Sequence, residues 1–125
     1  PMSTDPELDR RLMQEALRMA KLAYDNDEVP VGAVIAMDGN IVAAAMNEVV
    51  TRHDPTAHAE VLVIRKAAAM LGNERLNGAT LYVTLEPCPM CAAAVWRAWL
   101  VWCGAPMIPT AAACAAPLMW PPKRI

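Results

Sequence analysis

Thr80-Leu81-Tyr82-Val83-Thr84-Leu85-Glu86-Pro87-Cys88-Pro89-Met90-Cys91 passes from strand to helix in one short stretch, and the rest of the chain has to be arranged around it. Thr80 to Leu85 is the most strand-like segment of the sequence, dense in β-branched, aromatic and aliphatic side chains. Pro87 closes it and opens a helix predicted over roughly Pro89 to Trp99, with proline where a first turn tolerates it. A short apolar run, Leu100 to Cys103, then suits a further strand.

Upstream, His58 to Leu71 reads as another helix, closed by Gly72-Asn73. Val31 to Met37 and Ile41 to Ala45 flank the turn signal Asp38-Gly39-Asn40 and predict a hairpin. Residues 47–57, containing Thr51, Asp54, Pro55 and Thr56, read as loop. Asp5-Pro6-Glu7 supplies a cap, a first-turn proline and an acid. Leu8, Leu12, Met13, Ala16, Met19, Ala20 and Ala23 then recur at helical spacing to about Tyr24. The order α-β-β-α-β-α-β predicts an α/β fold, a mixed sheet with helices on both faces. From Gly104 onward, Pro106, Pro109, Pro117, Pro121 and Pro122 preclude one long helix, and no element is assigned there.

With 125 residues the sequence fits a single small domain, and an apolar content of 56% is enough to fill a core. A net charge of -2 gives no global basic footprint for nucleic acid, so any such binding needs a local patch or a surface shared between subunits. Arg10, Arg11, Arg18 and Lys21 lie on the first helix; they and the scattered Arg52, Arg65, Lys66, Arg97, Lys123 and Arg124 read mainly as solvated surface. Pro1 to Asp5 lacks the basic and apolar regions of a secretory signal, and no apolar run reaches membrane-spanning length. A cytoplasmic location is therefore expected, with Cys88, Cys91, Cys103 and Cys114 reduced and a close pair suited to metal.

The chemistry concentrates in His58-Ala59-Glu60 and Pro87-Cys88-Pro89-Met90-Cys91, each at a helix start, with residues 61–86 between them. Zinc takes nitrogen and sulfur donors in a tetrahedron, and a catalytic site keeps one of four positions for water. His58, Cys88 and Cys91 supply three donors, and cysteines three apart share one helical face. A helix N-terminus favours the thiolate form. Glu60 is then free to carry protons, and backbone N–H groups near Ala59 and Cys88 could hold a substrate ring. A structural zinc site would instead need a fourth donor, for which His53, Cys103 and Cys114 are the candidates.

His-x-Glu followed at a distance by Pro-Cys-x-x-Cys resembles the signature of zinc-dependent nucleobase deaminases. The sequence resembles the cytidine and deoxycytidylate deaminase superfamily, and within it the bacterial tRNA-specific adenosine deaminases. Glu28-Val29-Pro30-Val31-Gly32-Ala33-Val34, Asp54-Pro55-Thr56-Ala57-His58-Ala59-Glu60 and Thr80 to Cys88 carry the likeness, which runs from about Glu7 to Ala105. The resemblance implies a three-layer α/β/α cytidine-deaminase-like fold and a Zn2+ cofactor held by His58, Cys88 and Cys91. It implies Glu60 as general acid and base, and a homodimer. It also implies conversion of adenosine to inosine at the wobble position of a tRNA anticodon loop. Asn47 matches an asparagine that hydrogen-bonds the flipped base, and Val29, Pro30 and Leu85 match pocket walls. The sequence departs from the family beyond Gly104-Ala105, where Pro106-Met107-Ile108-Pro109-Thr110-Ala111-Ala112 replaces a polar stretch with acid and lysine. Trp96, Trp99, Trp102 and Trp120 cluster in this half and are expected to serve core or interface packing. Two rivals stand beside this assignment: a deaminase acting on guanine, cytosine or single-stranded DNA, and a non-catalytic zinc-stabilised scaffold.

Overall fold

The computed structural model describes residues 5–85 and 87–103. Its elements are α1 (Pro6–Asp25), β1 (Gly32–Met37), β2 (Asn40–Met46), α2 (Val49–Arg52), α3 (Ala59–Leu71), β3 (Ala79–Val83), α4 (Pro89–Arg97) and β4 (Val101–Cys103). The segment from Gly104, with Cys114 and Trp120, lies outside the described residues, as does Glu86.

Local chemistry explains most boundaries. The Asp5 carboxylate accepts from the Leu8 N–H at 3.1 Å and caps α1. Asp38 and Gly39 sit at φ 53° and 79°, the paired positive values of a two-residue hairpin turn that matches strand twist, so β1 and β2 fold back on each other. α4 stops at Arg97, two residues short of the predicted end, where Trp99 turns left-handed at φ 59°. β3 ends at Val83, leaving Thr84 and Leu85 beyond the strand. The predicted loop 47–57 contains the single turn α2, whose support comes from elsewhere in the chain.

The sheet runs β2-β1-β3-β4, antiparallel except for the parallel β3–β4 pair, and is therefore mixed as predicted. Strand alternation divides the core into two. Ala33, Ile35, Leu81 and Val83 face Leu62, Val63 and Ala67 of α3 and Val95 of α4. Val34, Ala36 and Tyr82 face Leu12 and Ala16 of α1, with Cys103 on the same side. Each fully buried aliphatic side chain contributes about 1.5–3 kcal/mol, so both layers are held chiefly by apolar burial. The result is the three-layer α/β/α arrangement.

α1 approaches the sheet closely over its C-terminal half, where its inner face is small: Ala16, Ala20 and Ala23 are fully buried. A Cβ on Gly32 would lie 2.1 Å from the Ala16 carbonyl oxygen and 2.5 Å from the Ala20 nitrogen. Glycine is the residue that fits there. Tyr82 donates from its hydroxyl to Asp9 Oδ1 at 2.6 Å, tying β3 to α1. Trp96 and Trp99 do not join the core: they are 77% and 54% exposed, and Arg75 stacks 4.3 Å over the Trp99 ring.

Candidate metal centre

Sheet register gathers the site. Gly32 at the start of β1 pairs with Met46 at the end of β2, and Ala33 pairs with Val83 at the end of β3. The segments leaving that end therefore share one pole: 26–31 before β1, 47–58 after β2, and 84–85 with 87–88 after β3. Reciprocal bonds close it, with Thr84 N–H donating to the Gly32 carbonyl and Gly32 N–H donating to Thr84 Oγ1, both at 3.1 Å. Glu48 N–H donates to the Ala57 carbonyl at 3.0 Å and folds the 48–57 segment over the same pole.

Two helix starts point into it. His58 caps α3, and Cys88 caps α4 with Cys91 in the first turn. His58 Nδ1 lies 3.4 Å from Cys91 Sγ and 3.7 Å from Cys88 Sγ, and the sulfurs are 3.7 Å apart. Zinc binds sulfur at about 2.3 Å and imidazole nitrogen at about 2.0–2.1 Å. A tetrahedron with those bonds spaces its sulfurs about 3.8 Å apart and nitrogen from sulfur about 3.6 Å apart. The donor atoms fit a zinc ion closely. Among the described residues no fourth histidine, cysteine or acid joins the group. His53 and Cys103, the described candidates for a closing donor, stand outside it, and Cys103 lies in the α1-facing core. Cys88, Cys91 and Cys103 are all free thiols.

The electrostatics favour a cation at the centre. Burial lowers the His58 pKa and keeps the imidazole neutral, the form that ligates. Burial, with the Glu60 and Cys88 charges added, pushes the Cys91 thiol far up in the chain alone. A divalent ion reverses that balance, because it deprotonates a coordinating thiol outright. The first-turn N–H groups of α3 and α4 add positive potential that favours the thiolate form of the cysteines, the form that ligates.

Glu60 sits in the first turn of α3, 4% exposed and against Cys91. Burial raises its carboxyl to about 7, against smaller opposing hydrogen bonds from its own N–H and Cys91. The residues predicted to wall a substrate pocket reach the same pole. Val29 and Leu85 are half-buried against the core, Pro30 and Ala59 are buried, and Asn47 is 5% exposed directly after β2. Several of the predicted surface cations are engaged on their own helices: Arg10 with Glu7, Arg18 with Glu15, Lys21 with Asp25 and Arg52 with Glu48.

Sequence reasoning missed Glu28, a carboxylate with no exposed surface beside the pole. Its Oε1 accepts from Asn47 Nδ2 at 3.4 Å and Val50 N–H at 3.1 Å. Its Oε2 accepts from Thr51 N–H at 2.7 Å and Thr51 Oγ1 at 2.6 Å. Burial works to raise its pKa, but these donors outweigh burial and hold the carboxyl below its ordinary value. The signal available in the sequence was an acid placed directly before the apolar run Val29-Pro30-Val31.

Known proteins are similar to this chain in sequence and in fold. The family model described as cytidine and deoxycytidylate deaminase zinc-binding region matches residues 6–101. The tRNA-specific adenosine deaminase of Bacillus subtilis (strain 168) is 55% identical over 87 residues, covering 70% of this chain and 54% of that protein. A structure solved in a study of A-to-I editing by tRNA:A34 deaminases superposes with a TM-score of 0.71 at 52% identity, covering 73% of this chain and 70% of that one. The guanine deaminase of Bacillus subtilis gives the same TM-score of 0.71 at 39% identity, with 81% and 63% covered. The chain spans about half the length of the curated relatives it matches.

Proposed function

The chain belongs to the cytidine and deoxycytidylate deaminase family, and on that premise we propose that it is a zinc-dependent hydrolase converting adenosine to inosine at the wobble position of a tRNA anticodon loop. The observation that carries the proposal is the group of three donors at zinc spacing, with a buried carboxylate against it that is not itself part of the group. Among the described residues the set stays at three, whereas a scaffold wants a closed set of four. Wobble adenosine is favoured over guanine because identity is higher toward the A-to-I editing structure, 52% against 39%, at equal TM-score.

His58, Cys88 and Cys91 would hold the ion. When bound, zinc acidifies water enough to supply a nucleophile at neutral pH. Glu60 takes a proton from the attacking water and delivers it to the ring nitrogen beside the attacked carbon. It then carries the remaining hydroxyl proton to the exocyclic amino group, which leaves as ammonia while the carbonyl forms. Adenosine and water are thereby converted to inosine and ammonia. Ala59 presents its N–H to the substrate, Asn47 hydrogen-bonds the base, and Val29, Pro30 and Leu85 wall the pocket.

The homodimer and the cytoplasmic location belong to the same proposal. Met90 and Trp96, exposed on α4, are apolar surface of the kind a second copy covers, and free thiols suit a reducing compartment. Among the described residues no helix is long and apolar enough to cross a membrane.

The test supplies the zinc-loaded chain with an anticodon stem-loop bearing adenosine at the wobble position, and separately with free guanine, free cytosine and single-stranded DNA. Inosine in the stem-loop is the expected product. Ammonia released from one of the other substrates alone moves the assignment to that substrate. Zinc retained with no turnover on any of them returns the scaffold.

A further inference from the structure

We propose that Glu28 is a positioning residue of the base pocket: its carboxylate fixes which way the Asn47 amide faces and anchors α2 beside it. The inference rests on the reading of Asn47 as a substrate contact.

A carboxylate is an acceptor only, with about four lone-pair sites on its two oxygens. All four groups around Glu28 are donors, and each oxygen takes two of them. Asn47 has to turn Nδ2 toward Glu28, because its Oδ1 there would set acceptor against acceptor. The planar amide then has its orientation set, with Oδ1 and the second Nδ2 hydrogen left for the substrate. The Asn47 backbone is fixed independently, by its N–H donating to the Val31 carbonyl at 3.0 Å. With the backbone held by Val31, just before β1, and the amide facing Glu28, one orientation of the side chain is favoured.

The same carboxylate binds the N–H groups of Val50 and Thr51 inside α2. α2 is a single turn with no side-chain cap of its own. Glu28 thus joins the loop carrying Val29 and Pro30 to the segment carrying Asn47. An acid so fully enclosed and so fully bonded costs heavily to bury, and the gain is a defined geometry at the pocket.

A double-mutant cycle tests this on the zinc-loaded full chain. Glu28→Gln puts an amide donor among donors and should lower kcat/KM on the wobble-adenosine stem-loop by about 10- to 100-fold, with zinc content unchanged. In an Asn47→Ala background the same substitution should cost less than about 2-fold, since the group through which Glu28 acts is gone. An equal factor in both backgrounds overturns the proposal and leaves Glu28 a purely structural residue. The Asn47 side-chain amide resonances give a readout free of turnover. They should shift and exchange faster with solvent in Glu28→Gln, and unchanged resonances would sink the inference whatever the activity. If Glu28→Gln does not fold, Thr51→Val loosens the carboxylate from one side and should move the same resonances; resonances that stay in place there overturn the proposal as well. A wild-type chain that deaminates no substrate removes the functional reading, and the resonances still decide the orientation of Asn47.

Discussion

Two acids lie at the same end of the sheet, both out of reach of solvent, and their surroundings treat them in opposite ways. Glu60 is 4% exposed and is pushed up to about 7. Glu28 has no exposed surface and is held below its ordinary value. Burial raises both; what separates them is the supply of donors. Glu28 takes hydrogen bonds from Thr51, Val50 and Asn47, whereas Glu60 has its own N–H and a cysteine sulfur. Depth alone therefore does not say whether a carboxyl is structural or chemical. Among these two, the saturated one is held toward its charged form, and the undersupplied one is pushed toward its neutral form.

The sharpest way to break the contrast is to remove the carboxylate that should matter to chemistry. Glu60→Gln should lower turnover by about 10²- to 10⁴-fold while zinc content holds and thermal stability stays level or rises. Turnover within a factor of two of wild type would strip Glu60 of its role. The opposite outcome is expected at the other acid. Glu28→Ala strands several donors and should cost about 3 kcal/mol in a denaturant titration. A loss below about 0.5 kcal/mol would mean that water replaces the carboxylate without penalty.

Acid titration separates the two states of Glu28 more gently. Its folded pKa is depressed, so its stabilisation is complete above the ordinary 4.5 and disappears as pH falls through the folded value. The stability gap between wild type and Glu28→Gln should narrow steadily as the pH is taken below 4.5. A gap constant down to pH 2 would show that the charge contributes nothing. The smallest effect belongs to Thr51→Val, which removes one hydroxyl donor from Oε2 and should cost about 1 kcal/mol. A neutral result, checked by the same titration, would assign the anchoring to the backbone donors.

The contrast also separates what the sequence makes legible from what it does not. His58, Cys88 and Cys91 were visible because a metal demands donor types at fixed spacings, and spacing is a property of the chain itself. The hairpin was visible because Asp38-Gly39 accepts positive φ locally. α2 was not visible: Val49-Val50-Thr51-Arg52 is a poor helix former by propensity, and its turn is held by a carboxylate 22 and 23 residues away. The need for glycine at 32 was equally hidden, since it arises where the α1 backbone crosses β1. Glu28 stood in the sequence only as the first residue of a family-like stretch, and its role arises from tertiary contacts that enclose it.

The donors around the centre enter from either side of β3, with Nδ1 30 and 33 positions from the sulfurs along the chain. No fragment on one side of that strand owns the complete set. Tight metal uptake therefore reports that β1 and β3 have already paired, so the ion serves as a late inspector of the fold.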